Sequence, residues 1–284
     1  MSAFEACKPA GRRWGRALAL VAAAGLACAA LGAGLAQAAA PADVRTAQVD
    51  GHKVAYRVLG HDRPVLVLIS GLGDGMASFE AVAPDLARTA TVIVYDRAGY
   101  GGSDAVAAPR DAAAADRELT GLLKASGVAG PYVVAGHSLG GLYAEYFAAH
   151  HPDAVAGLIL EESRPADFTA RCVAAGIAMC APPPMLLRFL PKGGQGEGAA
   201  LDATAAQVGV TARAAVPVLV LSRPTPAGAK PFDALWGQAQ DDLAARYGAR
   251  RLAAPGDGHY IHKDQRAWFV DQVSGFLAGV KSRK

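Results

Sequence analysis

Apolar residues fall along the chain in two distinct rhythms. VRTAQV (44–49) and HKVAYRVLG (52–60) alternate polar with apolar positions around Asp50-Gly51, the pattern of a two-stranded hairpin closed by a tight turn. Five later runs do not alternate: PVLVLIS (64–70), TVIVYDR (91–97), YVVAGH (132–137), GLILEE (157–162) and VPVLVLS (216–222). Continuous apolar runs of that length suit strands covered on both faces. Between them, segments near 78–88, 111–126 and 139–150 are spaced for helices. Farther on, a helix is predicted near 233–247, then a short strand in ARRLAAP (249–255) and an amphipathic helix over 264–281. Strand and helix repeated in this order predict an α/β domain, a mostly parallel central sheet with helices on both faces.

Residues 164–215 break the rhythm. They hold two cysteines, the apolar APPPMLLRFLP and the glycine-rich KGGQGEG. This stretch is expected to form a small cap inserted over the carboxyl edge of the sheet, with 192–198 open to a linker reading. Met185, Leu186, Leu187 and Phe189 would then either face an apolar substrate group or fill the cap's own core.

At 284 residues the chain has ample material for a core, and its net charge of +3 is unevenly placed. Lys8, Arg12, Arg13 and Arg16 stand against Glu5 in residues 1–38, and without that segment 24 basic and 24 acidic side chains remain. A balanced remainder offers no basic footprint for nucleic acid. RRWGR, the alanine-rich apolar run after it and AQA at 36–38 have the order of a secretory signal, so 1–38 is expected to be cleaved after Ala38. The same run is about long enough to span a bilayer as an uncleaved anchor. Its weak hydrophobicity and small-residue exit favour cleavage, and with it a periplasmic or secreted protein with no stable membrane insertion. Export would place Cys172 and Cys180 in an oxidising compartment, where the pair is a disulfide candidate. Two cysteines without nearby histidines make a poor zinc site, and no metal or cofactor is expected.

The candidate chemistry sits where YVVAGH meets the next helix. Gly136-His137-Ser138-Leu139-Gly140 is G-x-S-x-G between a strand and a helix. A serine lifted onto so sharp a bend needs small neighbours, because side chains two positions either way would collide with the turn. Leu139 N–H would lie at the helix start, where an oxyanion could be stabilised. A glycine-rich turn is the plain alternative, and the motif acquires meaning only with a base to activate the hydroxyl.

GHSLGGLYAEYFAAHHPDAVAGLILEES (136–163), YDRAGYGGSD (95–104) and GDGHYIHKDQ (256–265) together resemble the α/β-hydrolase family, over about residues 50 to 281. The resemblance implies that fold, a small-molecule substrate and a Ser-His-acid triad. It implies Ser138 as nucleophile and, among seven histidines, His259 as base; Asp96 and Arg97 would be structural. It also implies a second oxyanion donor, Leu72 N–H, although Ser70-Gly71-Leu72-Gly73 has serine where many relatives have histidine. Most relatives place the acid shortly after the strand at 217–222, where the first acidic residue here, Asp233, comes late. Others, such as haloalkane dehalogenases, place it after the strand that follows the nucleophile's helix, where Glu161-Glu162 stand. That alignment ranks Glu161 first as the acid, then Asp233, then Glu162.

These readings point to an exported serine hydrolase acting on an apolar carboxylic ester through an acyl-enzyme. Lactone or amide hydrolysis and a cofactor-free haloperoxidase-like activity use the same residues, and a non-catalytic binding protein on the same scaffold is the rival from another class. Serine at 138 argues against dehalogenase and epoxide hydrolase chemistry, which use a carboxylate nucleophile. Oligomeric state is not legible.

Overall fold

The structure, a computed structural model, describes residues 43–107, 109–178 and 180–281. The signal-peptide expectation for 1–38 lies outside the described residues. Eight strands form one sheet: β1 (Arg45–Val49), β2 (His52–Leu59), β3 (Val65–Ile69), β4 (Thr91–Tyr95), β5 (Tyr132–His137), β6 (Val155–Glu161), β7 (Val218–Ser222) and β8 (Arg250–Ala253). Their spatial order is β1-β2-β4-β3-β5-β6-β7-β8. β1 and β2 pair antiparallel, β2 pairs antiparallel with β4, and every later pairing is parallel. Asp50 and Gly51 both take positive φ, 48° and 80°, the left-handed pair that the tightest hairpin turns require.

The unbroken apolar runs are explained by two cores, one on each face. Val65, Val67 and Ile69 of β3 join one cluster, and the intervening Leu66 and Leu68 join the other. β4 divides in the same way, with Ile93 and Tyr95 on one side and Val92 and Val94 on the other. α1 (Ala83–Leu86) and α10 (Arg266–Lys281) cover the second face. α2 (Ala112–Ser126), α3 (Leu139–His150) and α8 (Pro231–Arg246) pack on the first. Asp111 caps α2 by accepting from Ala114 N at 2.9 Å, and Gly127 ends it at φ 70°. β3 connects to β4 on one side and pairs with β5 on the other, so the chain reverses direction across the sheet between β3 and β5. Ligands of open α/β sheets bind outside the carboxyl ends of strands at such a point.

Between β6 and β7, the stretch expected as a cap folds into α4 (Phe168–Ala174), α5 (Pro184–Leu187), α6 (Lys192–Ala199) and α7 (Leu201–Val210). The glycine-rich segment is helix α6 rather than a linker, and Glu197 within it is fully buried. Its glycines serve close approach: a Cβ on Gly193 would overlap Ala98 O and the Tyr100 ring. Contact at that range lets Glu197 reach Arg97 at 2.6 Å and accept from Tyr100 Oη at 2.6 Å. Met185, Leu186 and Phe189 are exposed, not core. Cys172 and Cys180 are joined by a disulfide, and Cys172 is buried against Phe168, Trp236 and Ala239. The short α9 (Ile261–Asp264) and a 3₁₀ turn at Met76–Phe79 complete the elements, and among the described residues no helix is long and apolar enough to cross a membrane.

Candidate active site

Ser138 occupies the turn between β5 and α3 with φ 53° and ψ −117°, a conformation that a residue with a side chain adopts only under strain. Three contacts hold it there. Ser138 N donates to Glu161 O at 3.0 Å, and Ser138 O accepts from Gly141 N at 3.0 Å and from Arg164 N at 3.1 Å. Glycine is needed on either side for the reason the motif suggests. A Cβ on Gly136 would overlap Gly140 O, and one on Gly140 would overlap Ile69 O and Ser70 O.

Leu139 opens α3, so its N–H has no carbonyl to bond within the helix. It lines a cavity of about 240 Å³ together with Leu72, Ser138 and His259. The loop bearing Leu72, which lacks the histidine of many relatives, is held from below by Arg97. That buried guanidinium donates to Ser70 O at 2.7 Å, Ser70 Oγ at 2.9 Å and Gly71 O at 2.9 Å. Ser70 Oγ donates in turn to Asp74 O at 2.7 Å, and Gly73 N donates to Tyr100 Oη at 3.0 Å. Glu197 neutralises Arg97, so the glycine-rich helix α6 and the loop at 70–73 belong to one network.

His259 lies between β8 and α9 and lines the same cavity as Ser138, as well as an adjoining one of about 250 Å³. Its Nδ1–H donates to Glu162 Oε2 at 3.1 Å. Glu162 is fully buried and accepts further from Trp236 Nε1 at 3.0 Å, Arg223 N at 2.8 Å and Arg223 Nη1 at 3.3 Å. Glu161, ranked first for that place by sequence, is turned elsewhere. Its Oε1 accepts from His262 N at 2.8 Å and His262 Nδ1 at 2.7 Å. The correction has a backbone cause. Glu161 is the last residue of β6, and Glu162 takes φ 44°, which swings its side chain over the strand ends toward His259. Asp233, ranked second, accepts from Arg223 Nη2 at 3.0 Å in the first turn of α8. Arg164, two residues after Glu162, forms no ion pair within 4 Å among the described residues; Arg223 pairs with Glu162 instead.

Behind this arrangement is a second buried group that sequence reasoning did not assemble. His137 Nε2–H donates to His259 O at 3.0 Å, which leaves Nδ1 as an acceptor without a partner. Burial lowers the His137 pKa to about 3, so the ring is neutral. His262 Nε2 accepts from Ser78 Oγ at 3.0 Å. Burial alone would raise the Glu161 pKa, but His262 and its two hydrogen bonds bring it below the usual carboxylate value. His137, Glu161 and His262 have donor atoms within 4.8 Å of one another, a geometry open to a metal ion. Glu161 Oε1 already accepts from His262 N and Nδ1, so the group serves as hydrogen bonding that seats the 259–262 segment.

The family profile described as alpha/beta hydrolase fold matches residues 64–210, more than half of the chain. The chain belongs to the α/β-hydrolase family. The uncharacterized Mycobacterium tuberculosis (strain H37Rv) protein Rv2715 is 29% identical over 281 residues, covering 84% of this chain and 82% of its own length. Among solved structures, the enol-lactonase from Burkholderia xenovorans LB400 superposes with a TM-score of 0.61 at 22% identity, covering 82% of this α/β-hydrolase and 100% of that chain. The thermophilic esterase from Thermogutta terrifontis gives 0.63 at 20% identity, covering 84% and 99%. At such identities the likeness extends to the fold alone. It agrees with the eight-stranded, mostly parallel sheet and with the fold expected from the sequence.

Proposed function

We propose that this α/β-hydrolase is an exported serine hydrolase acting on small carboxylic esters through an acyl-enzyme, with Ser138 as nucleophile, His259 as general base and Glu162 as the acid. The observation that carries the reading is a strained serine sharing two cavities with a histidine whose Nδ1–H is held by a buried carboxylate. That hydrogen bond leaves His259 Nε2 as the unprotonated nitrogen, the one a base must present.

Ser138 Oγ attacks the ester carbonyl as its proton passes to His259 Nε2, and the carbonyl electron pair moves onto oxygen. Leu139 N–H and Leu72 N–H serve that oxyanion, each contributing roughly 3–4 kcal/mol to the transition state. The imidazolium protonates the departing alkoxide, leaving an acyl ester on Ser138. Water, deprotonated by the same nitrogen, attacks the ester, and the carboxylic acid leaves as Ser138 regains its proton. Glu162 fixes the tautomer and stabilises the imidazolium. A lactone would react by the same steps.

A binding protein without catalysis would be favoured by a His259 with no carboxylate partner, and Glu162 Oε2 lies 3.1 Å from His259 Nδ1. The Cys172–Cys180 disulfide accords with an oxidising compartment. A panel of para-nitrophenyl and alkyl esters and lactones, assayed on the purified protein and on Ser138→Ala, tests the proposal. Hydrolysis reduced at least about 10³-fold by the substitution is expected. A Ser138→Ala protein as active as the wild type would remove it.

A further inference from the structure

Two guanidinium groups border the cavities at Ser138, and their charges are handled differently. Arg223 is neutralised by Glu162 at 3.3 Å and Asp233 at 3.0 Å. Arg164 lines both cavities, yet no carboxylate lies within 4 Å of it among the described residues. Its partners are neutral: Nη1 donates to Cys180 O at 2.7 Å and Nη2 to Thr169 Oγ1 at 2.7 Å. The guanidinium also lies over the Phe168 ring at 5.2 Å. Those bonds use two of its five N–H groups. Burial depresses its pKa, opposed only by the more distant charge of Asp202. Asp74, the acid lining one of the two cavities, faces Lys263 at 3.8 Å. A half-buried cation left without a counter-ion is costly unless something else supplies the charge.

Building on the ester hydrolase reading above, we propose that Arg164 is a specificity determinant that binds a carboxylate carried by the substrate, so that the preferred esters are anionic half-esters rather than neutral apolar ones. The position suits that role. Arg164 N is bonded to Ser138 O, so the guanidinium is anchored to the nucleophile's own backbone. Its reach is fixed through Cys180 O, in a residue tied by disulfide to the buried Cys172. A planar fork with free donors matches a carboxylate in two-point fashion. The apolar sides contributed by Phe232, Trp236, Leu72 and Leu201 suit a short carbon chain between carboxylate and ester.

The test compares matched substrates that differ by one carboxylate: para-nitrophenyl butanoate against para-nitrophenyl hemisuccinate, and phenyl butanoate against its para-carboxyphenyl analogue. In at least one pair the wild-type protein should favour the anionic member at least about tenfold in kcat/KM, mainly through KM, equivalent to about 1.4 kcal/mol. That ratio should fall to about one in Arg164→Gln and be largely kept in Arg164→Lys, whose charge is retained. A ratio near or below one in both pairs overturns the proposal, as does a preference that survives Arg164→Gln in a folded protein. Ser138-dependent hydrolysis with a flat ratio would leave the hydrolase reading standing and remove only the carboxylate site. If no ester is turned over, the hydrolase reading fails on its own. Calorimetry with succinate on the wild type and Arg164→Gln then decides the site: binding lost on substitution supports it, and no binding to the wild type overturns it.

Discussion

Replacing Glu162 by Gln removes one charge and leaves the shape of the side chain nearly intact. Four donors converge on that carboxylate: His259 Nδ1, Trp236 Nε1 and Arg223 Nη1 on Oε2, and Arg223 N on Oε1. An amide has one oxygen. If it faces His259 and Trp236, the NH₂ is pressed against Arg223 N–H at a site that measures 2.8 Å. If it faces Arg223, the NH₂ meets His259 Nδ1, which must then accept, and Nε2 carries the hydrogen and cannot take one from Ser138. In both cases the imidazolium loses a carboxylate at 3.1 Å. Charges about 4 Å apart at an effective dielectric near 20 interact by about 4 kcal/mol. A loss of that order from the transition state is about 10³ in rate, within the range of about 10²–10⁴ seen when a triad acid is replaced by its amide. The assay is kcat on para-nitrophenyl butanoate beside a thermal melt, with Glu161→Gln in parallel. A glutamine oxygen at 161 can still accept both His262 donors, so its expected effect is about 1–3 kcal/mol of stability with kcat changed by less than about tenfold. A folded Glu161→Gln that loses about 10³ in kcat, beside a Glu162→Gln that does not, would rule out Glu162 as the acid.

Three further outcomes follow from the same contacts. Gly140→Ala would drive a methyl group into the backbone oxygens of Ile69 and Ser70, so it should cost at least about 1–3 kcal/mol in a denaturant melt and abolish ester turnover. Glu145 is buried with one oxygen accepting from Tyr247 Oη at 2.8 Å and the other unpartnered, and burial raises its pKa to about 7. The folded protein therefore binds more protons than the unfolded chain between about pH 4.5 and 7, and this group's contribution to stability falls as pH rises through that window, by roughly 3 kcal/mol. Denaturant titrations across pH should show that decline in wild type minus Glu145→Gln, and a flat difference would contradict it. Reducing the Cys172–Cys180 bond should add two hydrogens to the intact mass and lower stability by about 2–3 kcal/mol, the scale for so short a ring.

The sheet was legible because its strands are covered twice. Covering both faces forces runs such as PVLVLIS, and the Asp50-Gly51 turn and the glycines at 136, 140 and 141 announce their backbone demands in composition. The strained turn at Ser138 and the loop position of His259 were legible for the same kind of reason, a steric requirement together with the family resemblance. The carboxylate that meets His259 was not. Glu161 and Glu162 are neighbours of identical chemistry, and the φ of 44° at Glu162 that directs it to His259 has no glycine or asparagine to signal it. Helix α6 was missed because KGGQGEG has poor helix propensity, and what holds it is a partner 100 residues away, Glu197 on Arg97. Nothing in the sequence singles out Arg164, because its neutral partners Cys180 O and Thr169 Oγ1 depend on how the segment folds back.

Activation of Ser138 by His259 carries the whole of the proposed reaction. Its most direct measurement is intact-mass and peptide mapping after treatment with a fluorophosphonate, which requires an activated serine but no knowledge of the natural substrate. One adduct per chain on the peptide carrying Ser138 is predicted, lost in Ser138→Ala and strongly slowed in His259→Ala. A folded wild-type protein that takes up no probe, or that is labelled equally well in Ser138→Ala, would contradict the account.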